Sequence, residues 1–169
     1  VHYTASIWNP ASNVWSSVDA ESVPRLYHSV SILLPDATVL SMGGGAPGPA
    51  DHLDGQIYKP AYLFDADGTL ADRPVITTSP EQTLHAGDTF SISVSSGQAI
   101  SSLSLVAFGS VTHSTNFPAR QFSLDFTQQP DGTYSVNLPD NMKLFTPGYG
   151  VLSAIDADGT PSVAATIQV

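Results

Sequence analysis

Through the second half of the chain, apolar residues recur at every other position in short runs. Phe90, Ile92 and Val94 share one face, as do Leu103, Leu105 and Ala107. Phe122, Leu124 and Phe126 follow, then Tyr134, Val136 and Leu138. A period of two puts alternate side chains on one side of an extended backbone, so each run predicts a strand with one buried face. Val151-Leu152-Ser153-Ala154-Ile155 and Val163-Ala164-Ala165-Thr166-Ile167 predict the last two strands, and Val75-Ile76 the first. Turn residues separate them at Ala86-Gly87-Asp88, Pro130-Asp131-Gly132 and Asp156-Ala157-Asp158-Gly159. About seven strands over about 95 residues is the size of an immunoglobulin-like sandwich. No window sustains apolar spacing at i, i+3, i+4, i+7, so the whole chain is predicted all-β.

The first half carries a repeat. Ile7-Trp8-Asn9-Pro10 returns as Ile57-Tyr58-Lys59-Pro60, 50 residues on. Between the copies lie Arg25-Leu26-Tyr27-His28-Ser29, the strand Val30-Ser31-Ile32-Leu33-Leu34 and a Pro35-Asp36 turn. Thr38-Val39-Leu40-Ser41-Met42 then runs into Gly43-Gly44-Gly45. A period of about 50 residues and a hairpin ending in glycines fit a four-stranded blade of a kelch-type propeller; an ordinary β-meander is the alternative. Trp8 and Trp15 then read as blade core. The composition shifts near Asp65-Ala66-Asp67-Gly68-Thr69 and at Arg73-Pro74. The expected organisation is a partial propeller of about one and a half blades at 1–70 and a sandwich at 71–169. The first residues read as the interior of a strand, with no initiator Met or signal peptide, so the natural chain is expected to begin upstream.

Composition narrows the function. Hydrophobic residues are 41% of the 169, enough for a core, and charged residues only 12%. Fifteen Asp and Glu stand against five Lys and Arg, a formal net charge of −10. The cations Arg25, Lys59, Arg73, Arg120 and Lys143 are scattered, which disfavours nucleic acid and anionic membrane surfaces as partners. No apolar run approaches the roughly 20 residues of a membrane helix. With no cysteine, disulfides, thiolate nucleophiles and thiolate metal sites are excluded within these residues.

Five histidines remain: His2, His28, His52, His85 and His113. None has zinc-finger or helical spacing, and there is no HExxH, P-loop, GxSxG or GxGxxG. Asp36, Asp51 and Asp54 read as solvated turn caps. Tyr27-His28 is the unusual pair, since imidazole and phenolate suit Cu(II). In a regular strand the two would point to opposite faces and could not share a metal. An irregular entry through Pro24-Arg25-Leu26 would permit it; otherwise Tyr27 packs in the blade and His28 is a satisfied polar residue. His52 reads as blade packing, His85 as exposed and His2 as lying at an edge.

Arg25-x-Tyr27-His28-Ser29, followed by Leu33-Leu34-Pro35-Asp36 and the glycine run, resembles a stretch of the copper-radical oxidases of the galactose oxidase and glyoxal oxidase type. His52-x-Asp54-x-Gln56-Ile57-Tyr58-x-Pro60, Tyr62-Leu63, Gly68-x-Leu70-Ala71 and Arg73-Pro74 continue the likeness. Thr112-His113-Ser114, Pro147-Gly148-Tyr149 and Gly159-x-Pro161-Ser162-Val163-Ala164 extend it to the end. The resemblance implies the C-terminal part of such an enzyme: a last kelch blade, then an immunoglobulin-like E-set domain. It implies copper held by Tyr27, His28 and His113, with Tyr27 also the catalytic base. The implied reaction oxidises a primary alcohol or aldehyde with O2 and releases hydrogen peroxide, in a secreted protein. The implied partners are the remaining propeller blades and a small alcohol, aldehyde or sugar. The family's other electron acceptor, a Tyr crosslinked to a Cys, is expected upstream, as are its substrate-contacting aromatics and Arg. Some relatives carry a Cys pair after the glycine run, where this chain has Ala46-Pro47-Gly48-Pro49-Ala50. The segment alone is therefore expected to be inactive. The alternative is a non-catalytic extracellular binding or structural protein of the same fold, including one whose sandwich recognises carbohydrate.

The patterning yields a stability prediction. Residues 71–169 expressed alone should melt cooperatively, because seven strands close their own core. Residues 1–70 alone should show no cooperative melt by circular dichroism, because their strand edges and apolar faces lack partners.

Overall fold

A computed structural model describes residues 3–113, 115–141, 145 and 147–169. His2, Ser114 and Lys143 lie outside the described residues. Among the described residues the elements are fourteen strands and one 3-10 turn, Ala61–Leu63, so the fold is all-β as its patterning predicts.

The larger unit is built from β6 (Val75–Thr78), β7 (Thr89–Ser95), β8 (Ile100–Ala107), β11 (Gln121–Gln128), β12 (Tyr134–Asn137), β13 (Tyr149–Asp156) and β14 (Ala165–Gln168). Their hydrogen-bonded order is β14-β13-β8-β11-β12-β7-β6. Strand β11 serves two neighbours in turn: Gln121–Leu124 pair with β8, and Asp125–Gln128 with β12. A parallel bridge between Val75 and Val163 brings the far ends of this order back together. The alternating apolar positions meet in register, Leu103 between Leu124 and Ala154, and Leu105 between Phe122 and Leu152. Ile92, Leu103, Leu105, Val136 and Leu152 have no exposed surface, and Phe90, Leu124, Tyr134 and Leu138 are buried beside them. The last strand begins at Ala165 and not at Val163. The Ala164 N–H is turned away from the ladder and donates to the Pro35 carbonyl of the smaller unit, at 2.9 Å.

The smaller unit has two pieces. β1 (Thr4–Asn9) and β2 (Val14–Ala20) form a hairpin, and β3 (Val30–Leu33), β4 (Val39–Met42) and β5 (Gly55–Tyr58) form an antiparallel sheet. The two copies of the repeat occupy β1 and β5. A cleft of about 590 Å³ separates the pieces, lined by Ile7 and Val18 on one side and Val39 and Tyr58 on the other. Trp8 and Trp15, expected in the core, are 47% and 68% exposed. They sit opposite each other across the hairpin with ring centroids 6.4 Å apart. The hairpin turns its Ile7 and Val18 toward the cleft, and alternation puts the Trp pair on its other face.

The two units meet through the Ala164–Pro35 bond and through a hairpin of the larger unit. Within the larger unit, Arg73 donates to the carbonyls of Pro161 (2.7 Å) and Ser162 (2.9 Å). A short hairpin, β9 (Val111–Thr112) and β10 (Thr115–Asn116), leaves the larger unit between β8 and β11. At its base stands Gly109, where a Cβ would lie 2.8 Å from Ile32 Cδ1 of β3, so the hairpin rests directly on that strand.

Leu105→Ala should destabilise the chain by about 2–5 kcal/mol, the range for emptying a closely packed aliphatic site. Denaturant titration should show a lower midpoint with an unchanged slope.

Candidate metal centre

Leu26 to Ser29 form a tight turn, closed by the Ser29 N–H donating to the Leu26 carbonyl at 3.1 Å. His28 has φ +67°, the left-handed region that non-glycine residues seldom enter. That single residue breaks the strand alternation, so Tyr27 and His28 do not diverge. Their rings stack, with centroids 3.9 Å apart and planes 27° from parallel.

The turn is held from behind by the glycine run. The Gly45 N–H donates to the Tyr27 carbonyl at 2.7 Å. A Cβ on Gly44 would lie 2.9 Å from the Leu26 nitrogen and 3.0 Å from Ser29 Cβ, and its φ is +105°. Only glycine allows both that conformation and that approach. Arg25, with 7% of its side chain exposed, ties the flank. It donates to Glu21 (2.8 Å), to the Gly43 carbonyl (3.2 Å) and to the carbonyl and carboxylate of Asp54 (both 3.1 Å). Burial by itself would lower the Arg25 pKa, but the bonds to Glu21 and Asp54 outweigh it and raise it. The bond from Arg25 holds the Asp54 carboxyl below the ordinary aspartate range. Asp54 is thus an ion-pair partner and not a free turn cap, whereas Asp36 does cap its turn through the Thr38 N–H and hydroxyl.

His113 arrives from the larger unit. It stands at the tip of the β9–β10 hairpin with φ +51°, a second left-handed non-glycine residue. Its Nδ1 is 2.6 Å from the hydroxyl oxygen of Thr112. Its Nε2 is 3.1 Å from Tyr27 Oη, although the two residues are 86 positions apart. The His113 ring lies edge-on to both others, with centroids 5.4 Å from Tyr27 and 5.3 Å from His28. All three residues are exposed on this chain, Tyr27 by 58%. The other described histidines, His52 and His85, stay outside the cluster. His52 donates its backbone N–H to the Gly44 carbonyl, and its Nε2 is buried without a hydrogen-bond partner. His85 is exposed beside Asp88.

The three donors fit a Cu(II) site chemically: two imidazoles and a phenol suit an ion that prefers tetragonal nitrogen and oxygen surroundings. Two donors each about 2 Å from one metal and at right angles to it stand about 3 Å apart, which is the Tyr27–His113 spacing. Among the described residues no group of three or more His, Cys, Asp or Glu is placed to hold a metal. The cluster found here uses a tyrosine in that third place. The sequence motifs contain Arg25 and Thr112 but do not reveal their contacts, which depend on Asp54 and on the hairpin tip.

Comparison with known proteins places this chain in a family. The family model "Galactose oxidase-like, Early set domain" matches residues 73–169. A galactose oxidase of Gibberella zeae is 37% identical over 169 residues, covering 99% of this chain. An aldehyde oxidase of Vitis pseudoreticulata is 32% identical over 164 residues, covering 88% of this chain and 30% of that protein. The chain spans about a quarter of the length of the galactose oxidase it matches. Among solved structures, a fungal alcohol oxidase of the AA5 family, in complex with copper, superposes with a TM-score of 0.91 at 35% identity. That match covers 99% of this chain and 36% of the other.

The Arg25–Asp54 pair makes the Tyr27 turn acid-sensitive. A depressed carboxyl pKa contributes stability that is complete above the unfolded value, about 3.9, and is lost as pH falls through the lower folded value. Amide hydrogen exchange at Gly45, whose N–H holds the Tyr27 carbonyl, should show falling protection across that window. Asp54→Asn should lower protection at neutral pH and flatten its pH dependence.

Proposed function

Because the chain belongs to the galactose oxidase-like early set domain family, we propose that it supplies three copper ligands of a secreted copper-radical oxidase. That enzyme would convert a primary alcohol and O2 to an aldehyde and hydrogen peroxide, or an aldehyde and O2, with water, to a carboxylic acid and hydrogen peroxide. One observation carries the reading: a phenol and an imidazole from one turn and an imidazole from a distant hairpin converge, on two left-handed residues that packing must hold in place. Backbone strain of this kind, of the order of 1–3 kcal/mol per residue, clusters at functional sites.

In this reading His28 and His113 would hold the metal through ring nitrogens, and Tyr27 through its oxygen. Copper, with a Tyr–Cys crosslinked side chain, would supply two one-electron acceptors for a two-electron oxidation. Tyr27 is suited to a second role, because the residue is exposed and its oxygen, as the phenolate, would take the proton of a substrate hydroxyl. Rigid placement by Gly44, Gly45 and Arg25 keeps that oxygen at the His113 ring without reorganisation on binding. No cysteine occurs among the 169 residues, so the crosslinked side chain is assigned to polypeptide outside them. The same polypeptide, as further kelch-type blades, would cover the exposed Trp8–Trp15 face and wall the substrate pocket.

The test is peroxide release by the copper-loaded full-length protein, offered primary alcohols and aldehydes in air. Turnover should depend on copper. His113→Ala should abolish it with loss of bound copper, and Tyr27→Phe should slow it by about 10²–10⁴-fold, the usual contribution of a positioned base. Copper binding that is indifferent to His113→Ala would overturn the reading.

A further inference from the structure

Both ring nitrogens of His113 are engaged, and by side chains of different character. Nε2 faces Tyr27 Oη at 3.1 Å, while Nδ1 lies 2.6 Å from the Thr112 hydroxyl of the adjacent residue. A neutral imidazole carries one proton, and the nitrogen that bears it cannot be a metal ligand. The partner of Nδ1 therefore decides what Nε2 can do. Thr112 is well placed to be that partner. It is β-branched, so its side chain has few rotamers, and it sits in the β9 ladder opposite Thr115 at the last step before the hairpin tip. His28, by contrast, is held by ring contacts with Tyr27 and His113.

We infer that Thr112 is a positioning residue: its hydroxyl accepts the Nδ1 proton of His113, fixes the ring, and leaves the Nε2 lone pair aimed at the Tyr27 oxygen and any metal bound there. The inference deepens the copper reading and rests on it for its functional consequence, but the proton placement can be read on metal-free protein. Outer-shell partners of this sort typically contribute 10–100-fold to metal affinity.

The experiment uses the full-length protein with Thr112→Val, which keeps the branched shape, and Thr112→Ser, which keeps the hydroxyl. Long-range nitrogen–proton correlation spectra of the metal-free protein report which His113 nitrogen is protonated. Titration with Cu(II) reports affinity. Wild type should carry its proton on Nδ1. T112V should move His113 toward a mixture of tautomers and weaken Cu(II) about 10–100-fold, and T112S should restore both. A wild-type ring protonated on Nε2, or a T112V ring still fixed as in wild type, would sink the inference. That first readout also decides the matter if T112V does not fold. A tautomer that responds to T112V in a wild-type protein that binds no Cu(II) would support the role of Thr112 and overturn the copper reading instead.

Discussion

The contact between Tyr27 Oη and His113 Nε2 spans 3.1 Å, and both halves of the chain must dock correctly for it to exist. Tyr27 hangs on a turn of the smaller unit, His113 on a hairpin of the larger one. Two contacts between the units bear on their separation: Gly109 against Ile32, and Ala164 against Pro35. The second is a backbone hydrogen bond, and the first sets the main chain of Gly109 against the Ile32 side chain. Main chain takes part in both, which suits a site whose geometry must be fixed before anything binds.

Charge is used sparingly. Of five Lys and Arg in the chain, Arg25 spends its donors on the turn that presents Tyr27, and Arg73 on two main-chain carbonyls of the larger unit. Surface ion pairs contribute little to stability, whereas a nearly buried guanidinium with several partners fixes geometry. The side chain of Asp54 stays half-exposed, so the Arg25 anchor remains open to solvent and to pH.

The larger unit was legible in the sequence because alternation with a period of two is read directly as a buried face. Leu103, Leu105, Val136 and Ile92 lie where that pattern puts them. Val163 was misplaced because its neighbour Ala164 gives its N–H to Pro35, a tertiary bond that no local pattern announces. The exposure of Trp8 and Trp15 on this chain was not legible for a related reason: alternation tells which residues share a face, not whether anything lies over it. For the candidate centre, the identities of Tyr27, His28 and His113 came from resemblance. Spacing alone argued against using adjacent residues together, and what removes that objection is the left-handed φ of His28. The sequence marks the irregularity only indirectly, through Gly44 and Gly45 far along the chain, which make room behind the turn.

The two left-handed histidines bear on how this protein can change. At φ +67° and +51° a glycine would be more comfortable than any residue with a Cβ, and asparagine more comfortable than most. Exchange of either histidine for glycine would relieve backbone strain while deleting a ring from the cluster. Selection for thermal stability alone would therefore favour the variants that dismantle the centre. A stable homologue with Gly or Asn at these two positions is the sequence such drift would leave behind, and the pair of histidines marks a chain in which some other requirement has held it back.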